Sequence, residues 1–288
     1  MKTKCVISVI LAAVMLASCS TGPDKTSETA SETVTDLTLP SIVPFEYETA
    51  EPVIESINDS TDRITFYRDG NEIIGNITRP EGSGPYKTII ILGGLYASLG
   101  SYSGKAKKYN ENGYAVIEVR PTNNKAPTPY KEPAYLGDFV FEQMADLCAV
   151  IDSLKYFQDI DTSNIYLFGH SMGGLGTVYA GIYKQDEIKG MILVEPSFQY
   201  PSTMKYENDT RLNPDLYGLL SDLSVPVVIF KGTGEREDIP DFDHFYDKAI
   251  ESLPDGRLVV IDGANHFMGG EPGKQMIAKS VEIIKSWH

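Results

Sequence analysis

Cysteine is scarce in this sequence, with three among 288 residues. Cys5 lies in an apolar leader and Cys19 ends it. Cys148 is then alone in the rest of the chain, so no disulfide framework is expected. It falls on an apolar helical face and reads as a small buried hydrophobe rather than a nucleophile. Histidine is nearly as rare, with four. They are too scattered for a metal-ligand cluster, and there is no CxxC pair. No glycine-rich dinucleotide or phosphate loop is found either. The chemistry left open is one that needs no cofactor and no metal. Basic residues number 25 against 40 acidic ones, a net charge of −15. Such a chain would be repelled by a phosphate backbone, which excludes nucleic acid as an expected partner. The acidic residues are spread rather than blocked and read as a solvated surface. After residue 20 no apolar run is long enough to span a bilayer.

What is present begins with a targeting segment. Lys2 and Lys4 give a basic start, and Val6 to Ala17 is an apolar core. It ends in Leu16-Ala17-Ser18-Cys19, which resembles the bacterial lipobox. That resemblance implies a signal peptide over residues 1–18 and lipidation of Cys19. The protein would then be extracytoplasmic, lipid-anchored to the bacterial cell envelope and held at a membrane surface without a spanning helix. Residues 19–58 are rich in Ser, Thr, Glu and Pro, with little apolar periodicity. They read as a flexible tether. The folded domain is expected over 59–288, in a chain 42% hydrophobic, enough for one large core.

Within that domain Arg63 to Tyr67 alternates with period two, Arg68-Asp69-Gly70-Asn71 is a turn signal, and Glu72 to Thr78 alternates again. The pair reads as a hairpin. Lys87–Leu92, Tyr114–Val119, Ile165–Phe168, Lys189–Val194, Val227–Lys231 and Leu258–Ile261 are short apolar runs of the kind that form buried parallel strands. Helical spacing separates them, at Phe139–Phe157, Leu175–Tyr183, about 242–253 and 272–287. This alternation predicts an α/β fold: a mostly parallel sheet of about eight strands, an antiparallel N-terminal hairpin, and helices on both faces. Pro121 to Pro133 reads as an irregular surface excursion.

One stretch carries chemistry. Gly169-His170-Ser171-Met172-Gly173-Gly174 follows an apolar strand and precedes a helix, which is the context of a G-x-S-x-G nucleophile elbow. The sharp turn strains the central residue, and the flanking glycines remove side chains that would strike the crossing backbone. Ser171 would stand at a helix N-terminus, which favours developing negative charge. A serine hydroxyl needs a base and a group to orient that base. His170 sits inside the elbow with its ring expected to point away from Ser171. His244 is on an acidic helical segment, and His288 is terminal. His266 follows the last strand, at the sheet edge where ligands gather in open α/β sheets, and is the expected base. The orienting acid falls between Ser and His in chain order. Glu235 ranks first, Glu195 second and Asp238 third. The oxyanion requires two backbone donors, expected at Met172 and at Leu95, with Tyr96 next after Leu95; Gly93-Gly94 reads equally as two small residues that let backbones pass closely.

Together these residues resemble the α/β-hydrolase superfamily over about 62–288. Arg79-Pro80-Glu81-Gly82, Asn112-Gly113-Tyr114-Ala115-Val116, Asn164 to Gly174 and Ile188-Lys189-Gly190 are similar to stretches of small bacterial feruloyl/cinnamoyl-type esterases. The resemblance implies a serine hydrolase that cleaves a small-molecule carboxylic ester, aryl or short-acyl, through an acyl-enzyme. A peptidase or lipase on the same fold, or a non-catalytic binding lipoprotein, are the other readings. Members usually carry His-Gly where this chain has Gly93-Gly94. They usually carry Asp, nearer the following proline, where it has Glu235. The segment between Val194 and Val227, with Phe198, Tyr200, Tyr206 and Tyr217, is where such enzymes place a lid or acyl pocket. It is too short for a large lipase lid.

Overall fold

The computed structural model describes residues 45–121, 133–199, 212, 215–234 and 242–287, together with Lys2–Thr3. Cys19 and the leader apart from Lys2–Thr3, most of the Pro121–Pro133 excursion, Tyr200, Tyr206, Glu235 and Asp238 lie outside the described residues.

A nine-stranded sheet runs through the centre. Lys2–Thr3 (β1) pairs antiparallel with Tyr47–Glu48 (β2) outside this sheet. Val53–Asn58 (β3), Thr61–Arg68 (β4) and Asn71–Thr78 (β5) form an antiparallel meander. Tyr86–Leu92 (β6), Ala115–Arg120 (β7), Ile160–His170 (β8), Gly190–Val194 (β9), Val227–Gly232 (β10) and Gly256–Ile261 (β11) form the parallel part. The order across the sheet is β11-β10-β9-β8-β6-β7-β5-β4-β3. β8 and β6 are central, so the serine turn and the turn after β6 open side by side at the C-terminal edge.

The helices are Ser103–Asn110 (α1), Pro133–Ser153 (α2), Met172–Lys184 (α3), Leu216–Ser221 (α4), Phe242–Ser252 (α5) and Gly270–Ile284 (α6). Period-two alternation divides the strand residues between two cores. Ile90, Leu92, Leu167, Leu193 and Ile229 face the side covered by α2, α3, α4 and α5. Ile89, Ile91, Phe168, Val194 and Phe230 face α1 and α6. Strands buried on both faces read as continuous apolar runs, which is why the sequence marks them clearly. Cys148 is fully buried in α2.

Order begins earlier than the tether boundary at residue 58 implies. β3 extends the sheet by one strand, and β2 is tied to α2 through the Tyr47 side chain. β3 is exposed along its whole length, so its sequence, Val53-Ile54-Glu55-Ser56-Ile57-Asn58, carries no buried-face signal. Phe45 stacks on Tyr47 and meets Phe141 and Tyr183 edge-on. Tyr47 Oη donates to Asp152 Oδ2 at 2.6 Å.

That carboxylate also receives the buried Lys184 ammonium, at 2.5 Å. Glu187 is 3.0 Å from the same Nζ. Burial opposes the Lys184 charge, but the two carboxylates more than offset it and hold its pKa above the usual lysine range. Breaking a buried pair by removing one partner leaves an uncompensated charge, typically costing about 3–5 kcal/mol. Asp152→Ala is therefore expected to lower the unfolding free energy by about that amount in a urea titration. A change below about 1 kcal/mol would show that the ion cluster does not hold the N-terminal segment to the α2–α3 face.

Candidate active site

The turn from β8 into α3 puts Ser171 at φ 55° and ψ −125°. For a residue with a Cβ this is a strained conformation, costing on the order of 1–3 kcal/mol. Neighbouring backbone enforces it. Ser171 N–H donates to Val194 O at 3.0 Å, and Ser171 O accepts from Gly174 N–H at 2.9 Å and Ser197 N–H at 3.0 Å. The following turn lies against the end of β6 so closely that a Cβ on Gly173 would sit 2.3 Å from Gly93 O. Any side chain there would push the elbow away from the turn after β6.

That turn runs Gly94-Leu95-Tyr96-Ala97, closed by Ala97 N–H to Gly94 O at 3.2 Å. A Cβ on Gly94 would lie 2.9 Å from Ser171 Cβ, so the glycine permits the loop to pass directly beside the serine. Leu95 is half-buried at this point, and Met172, the first residue of α3, is buried. Tyr96 has φ 62° and is 62% exposed.

Ser171 and His266 line one cavity of about 690 Å³, with Leu95, Tyr96, Lys105 and Phe267 among its walls. His266 is carried by the loop between β11 and α6, as its position after the last strand predicts. Its Nδ1 is shielded from solvent. The loop after β10 is fastened to this one. Thr233 N–H donates to Ile261 O at 3.2 Å and Gly234 N–H to Ala264 O at 2.9 Å. Thr233 Oγ1 donates to Asp262 Oδ1 at 3.0 Å and accepts from Gly263 N–H at 2.8 Å.

Glu195 closes β9 with φ 45° and is fully buried. Its Oε1 accepts from Gly232 N–H at 2.5 Å and its Oε2 from Tyr246 Oη at 3.1 Å. The carboxylate therefore grips the root of the loop after β10. Phe198 is buried in the core and meets Tyr246 edge-on. Among the described residues no three His, Cys, Asp or Glu side chains converge as metal ligands would.

His170 also lines the cavity, with its ring centroid 4.9 Å from that of His266. His170 Nε2 lies 2.7 Å from His266 O, and Nδ1 lies 2.8 Å from Tyr102 Oη. Burial pushes the His170 pKa down to about 3, so the ring is neutral. A carbonyl can only accept, so Nε2 carries the hydrogen and Nδ1 accepts from the Tyr102 hydroxyl. Tyr102 Oη accepts in turn from Gly94 N–H at 3.2 Å. Tyr102 is fixed at its own backbone, where N–H donates to the buried Glu118 carboxylate at 3.2 Å. One polar chain thus joins the turn after β6, the elbow and the histidine loop. Neither Tyr102 nor Glu118 stands out in the sequence, because only the fold brings them to the elbow.

The neutral His170 has a pH signature. Its folded pKa is depressed below the ordinary histidine value, so the unfolded chain binds a proton that the folded one refuses. The stability tied to this group is complete above about pH 6.5 and falls as the pH drops toward 3, by up to about 1.4 kcal/mol per pH unit. His170→Gln keeps an N–H donor without a titrating ring. Urea unfolding between pH 7 and 4.5 is expected to show a shallower pH slope in this variant than in the wild type. Equal slopes would contradict a buried neutral imidazole.

Comparison with known proteins adds the following. Residues 137–221, from α2 through the elbow to α4, match the family model described as serine aminopeptidase, S33. No curated protein sequence matches the chain. Among solved structures, Est1E from Butyrivibrio proteoclasticus with ferulic acid bound is similar at 17% identity and TM-score 0.56, over 75% of this chain and 94% of that one. A putative dienelactone hydrolase from Klebsiella pneumoniae is similar at 15% identity and TM-score 0.62, over 82% and 98%. A putative dipeptidyl aminopeptidase IV from Bacteroides ovatus is similar at 18% identity and TM-score 0.62, over 82% of this chain and 36% of that one. With the strand order, the elbow and the placement of His266, these likenesses show that the chain has the α/β-hydrolase fold.

Proposed function

We propose that this protein is a serine esterase acting on small aryl or short-acyl carboxylic esters. The observation that carries the reading is the strained Ser171 at the N-terminus of α3, facing the same cavity as His266. In this mechanism Ser171 Oγ attacks the ester carbonyl while His266 takes its proton. The Leu95 and Met172 amides receive the oxyanion, and preorganised donors of this kind typically contribute on the order of 10²–10³ in rate. The tetrahedral intermediate expels the alcohol, to which His266 returns the proton. Water, deprotonated by His266, then attacks the acyl-enzyme and releases the acid. The cavity has the size of a small-molecule site, and the exposed rings of Tyr96 and Phe267 beside it suit a flat aryl group. The neighbour that holds ferulic acid is consistent with an aryl substrate.

Glu235 is the orienting acid in this proposal. What supports it is that Gly234, immediately before it in the chain, is hydrogen-bonded to Ala264, two residues before His266. Glu195 is the alternative, but its oxygens already bind Gly232 and Tyr246, which suits a carboxylate that holds the loop. Asp238 ranks behind both. A peptidase remains the second reading, favoured by the match of the elbow region to the serine aminopeptidase family.

The wild type is expected to react with a fluorophosphonate probe and to hydrolyse 4-nitrophenyl acetate, and Ser171→Ala to do neither. Absence of both in the wild type would refute the reading. Glu235→Gln is expected to lower kcat by about a hundredfold or more with an unchanged melting temperature, and Glu195→Gln to lower the melting temperature. The reverse pattern would move the acid to Glu195. Dipeptide amides cleaved faster than esters would favour the peptidase.

We also propose that the protein is lipid-anchored through Cys19 outside the cytoplasm, on the likeness of Leu16-Ala17-Ser18-Cys19 to a lipobox. Expression in a bacterium fed an alkynyl fatty acid is expected to label the wild type and not Cys19→Ser. Equal labelling of both would refute the anchor.

A further inference from the structure

Among the described residues that line the cavity holding Ser171 and His266, Lys105 is the one Lys, Arg, Asp or Glu. It sits in the first turn of α1, which packs on the face of the sheet opposite the elbow helix. Its Nζ donates to Phe267 O at 3.0 Å and lies 5.6 Å from the Tyr102 ring centroid. An ammonium has three donors, so this bond occupies one and leaves two for a ligand. No carboxylate among the described residues pairs with it. Half-burial without a counter-ion is costly for a cation. Desolvation holds the Lys105 pKa below the usual lysine range. A strongly hydrated ammonium kept under those conditions at the wall of a reactive cavity gains most from an anion that enters it.

We propose that Lys105 is a specificity-determining residue that receives a carboxylate on the substrate, so that the preferred esters are anionic. This rests on the serine esterase reading and deepens it. The substrate places its reacting carbonyl at Ser171, its ring against Tyr96 or Phe267, and a free carboxylate at Lys105. No covalent step involves Lys105. Its bond to Phe267 O also clips α1 to the histidine loop, so the test must separate charge from clip. Gln at this position keeps an N–H donor without charge, and Arg keeps charge.

The experiment uses the purified full-length protein with two ester pairs, each matched for shape and differing in charge. One places the charge on the alcohol side, 4-acetoxybenzoate against 4-acetoxybenzamide. The other places it on the acyl side, phenyl 4-carboxybenzoate against phenyl 4-carbamoylbenzoate. A charged hydrogen bond of this kind corresponds to roughly a 10–100-fold effect. The wild type is expected to favour the carboxylate member of at least one pair by about tenfold or more in kcat/KM. The preference is expected to fall to within about twofold in Lys105→Gln, to persist in Lys105→Arg, and to weaken as salt is raised. A wild type without preference in either pair, or a Lys105→Gln variant that retains it, overturns the proposal. Fluorophosphonate labelling of Ser171 reports on the esterase reading separately. An unlabelled wild type would mean that the reading itself has failed. A labelled protein that turns over none of the four esters is read by protection. Benzoate is expected to slow labelling of the wild type more than benzamide does, and to lose that advantage in Lys105→Gln. Equal protection by the two overturns the proposal.

Discussion

The site depends on one close approach, that of the β8–α3 turn to the turn after β6. Ser171 holds an unfavourable backbone conformation only because the ends of β9 and β6 and the start of α3 over-determine it. β9 takes its N–H through Val194 and its carbonyl is capped by Gly174 and Ser197. β6 presses against Gly173 with no room for a methyl group. Strain of this kind persists only where the surroundings cannot relax, and two fully buried strand faces supply that stiffness. The same approach brings the turn that carries Leu95 beside Ser171 and Met172, so the geometry that strains the serine also forms the proposed oxyanion site.

Around this contact the polar groups are arranged to fix loops rather than to react. His170, held neutral by burial, spans from Tyr102 to the carbonyl of His266. Glu118 fixes Tyr102, and Glu195 fixes Gly232. Two buried carboxylates and a buried imidazole thereby secure the three loops that meet at the cavity. A half-satisfied network of this type is expensive, whereas a satisfied one rigidifies. Lys105 stands apart from it, with one donor of its ammonium committed to the Phe267 carbonyl. The contrast between fully engaged groups behind the site and one under-used cation at its wall is what singles out Lys105 as facing the substrate.

The parallel strands were legible because burial on both faces writes an unbroken apolar run into the sequence, and the longer helices between them because of their helical apolar spacing; the six-residue α4 is too short to carry such a period. The elbow was legible because local sterics require glycine beside the strained serine. His266 followed from its place after the last strand. β3 was not legible, since an exposed edge strand makes no demand on its side chains. The reach of His170 was not legible either. Its partners lie 68 and 96 positions away, and nothing in the hexapeptide around Ser171 records them.

The sequence by itself determined the fold class, the sharp turn at Ser171 and the placement of His266 in the last loop, because each rests on a local pattern of apolar period, turn sterics or chain order. Tertiary structure alone decided that His170 braces the histidine loop, that Glu195 grips the root of the loop after β10, and that Lys105 stands at the cavity wall, 162 positions from the carbonyl it touches. Those roles depend on which loops the sheet brings to one edge. That is a property of strand order and not of any short stretch of chain.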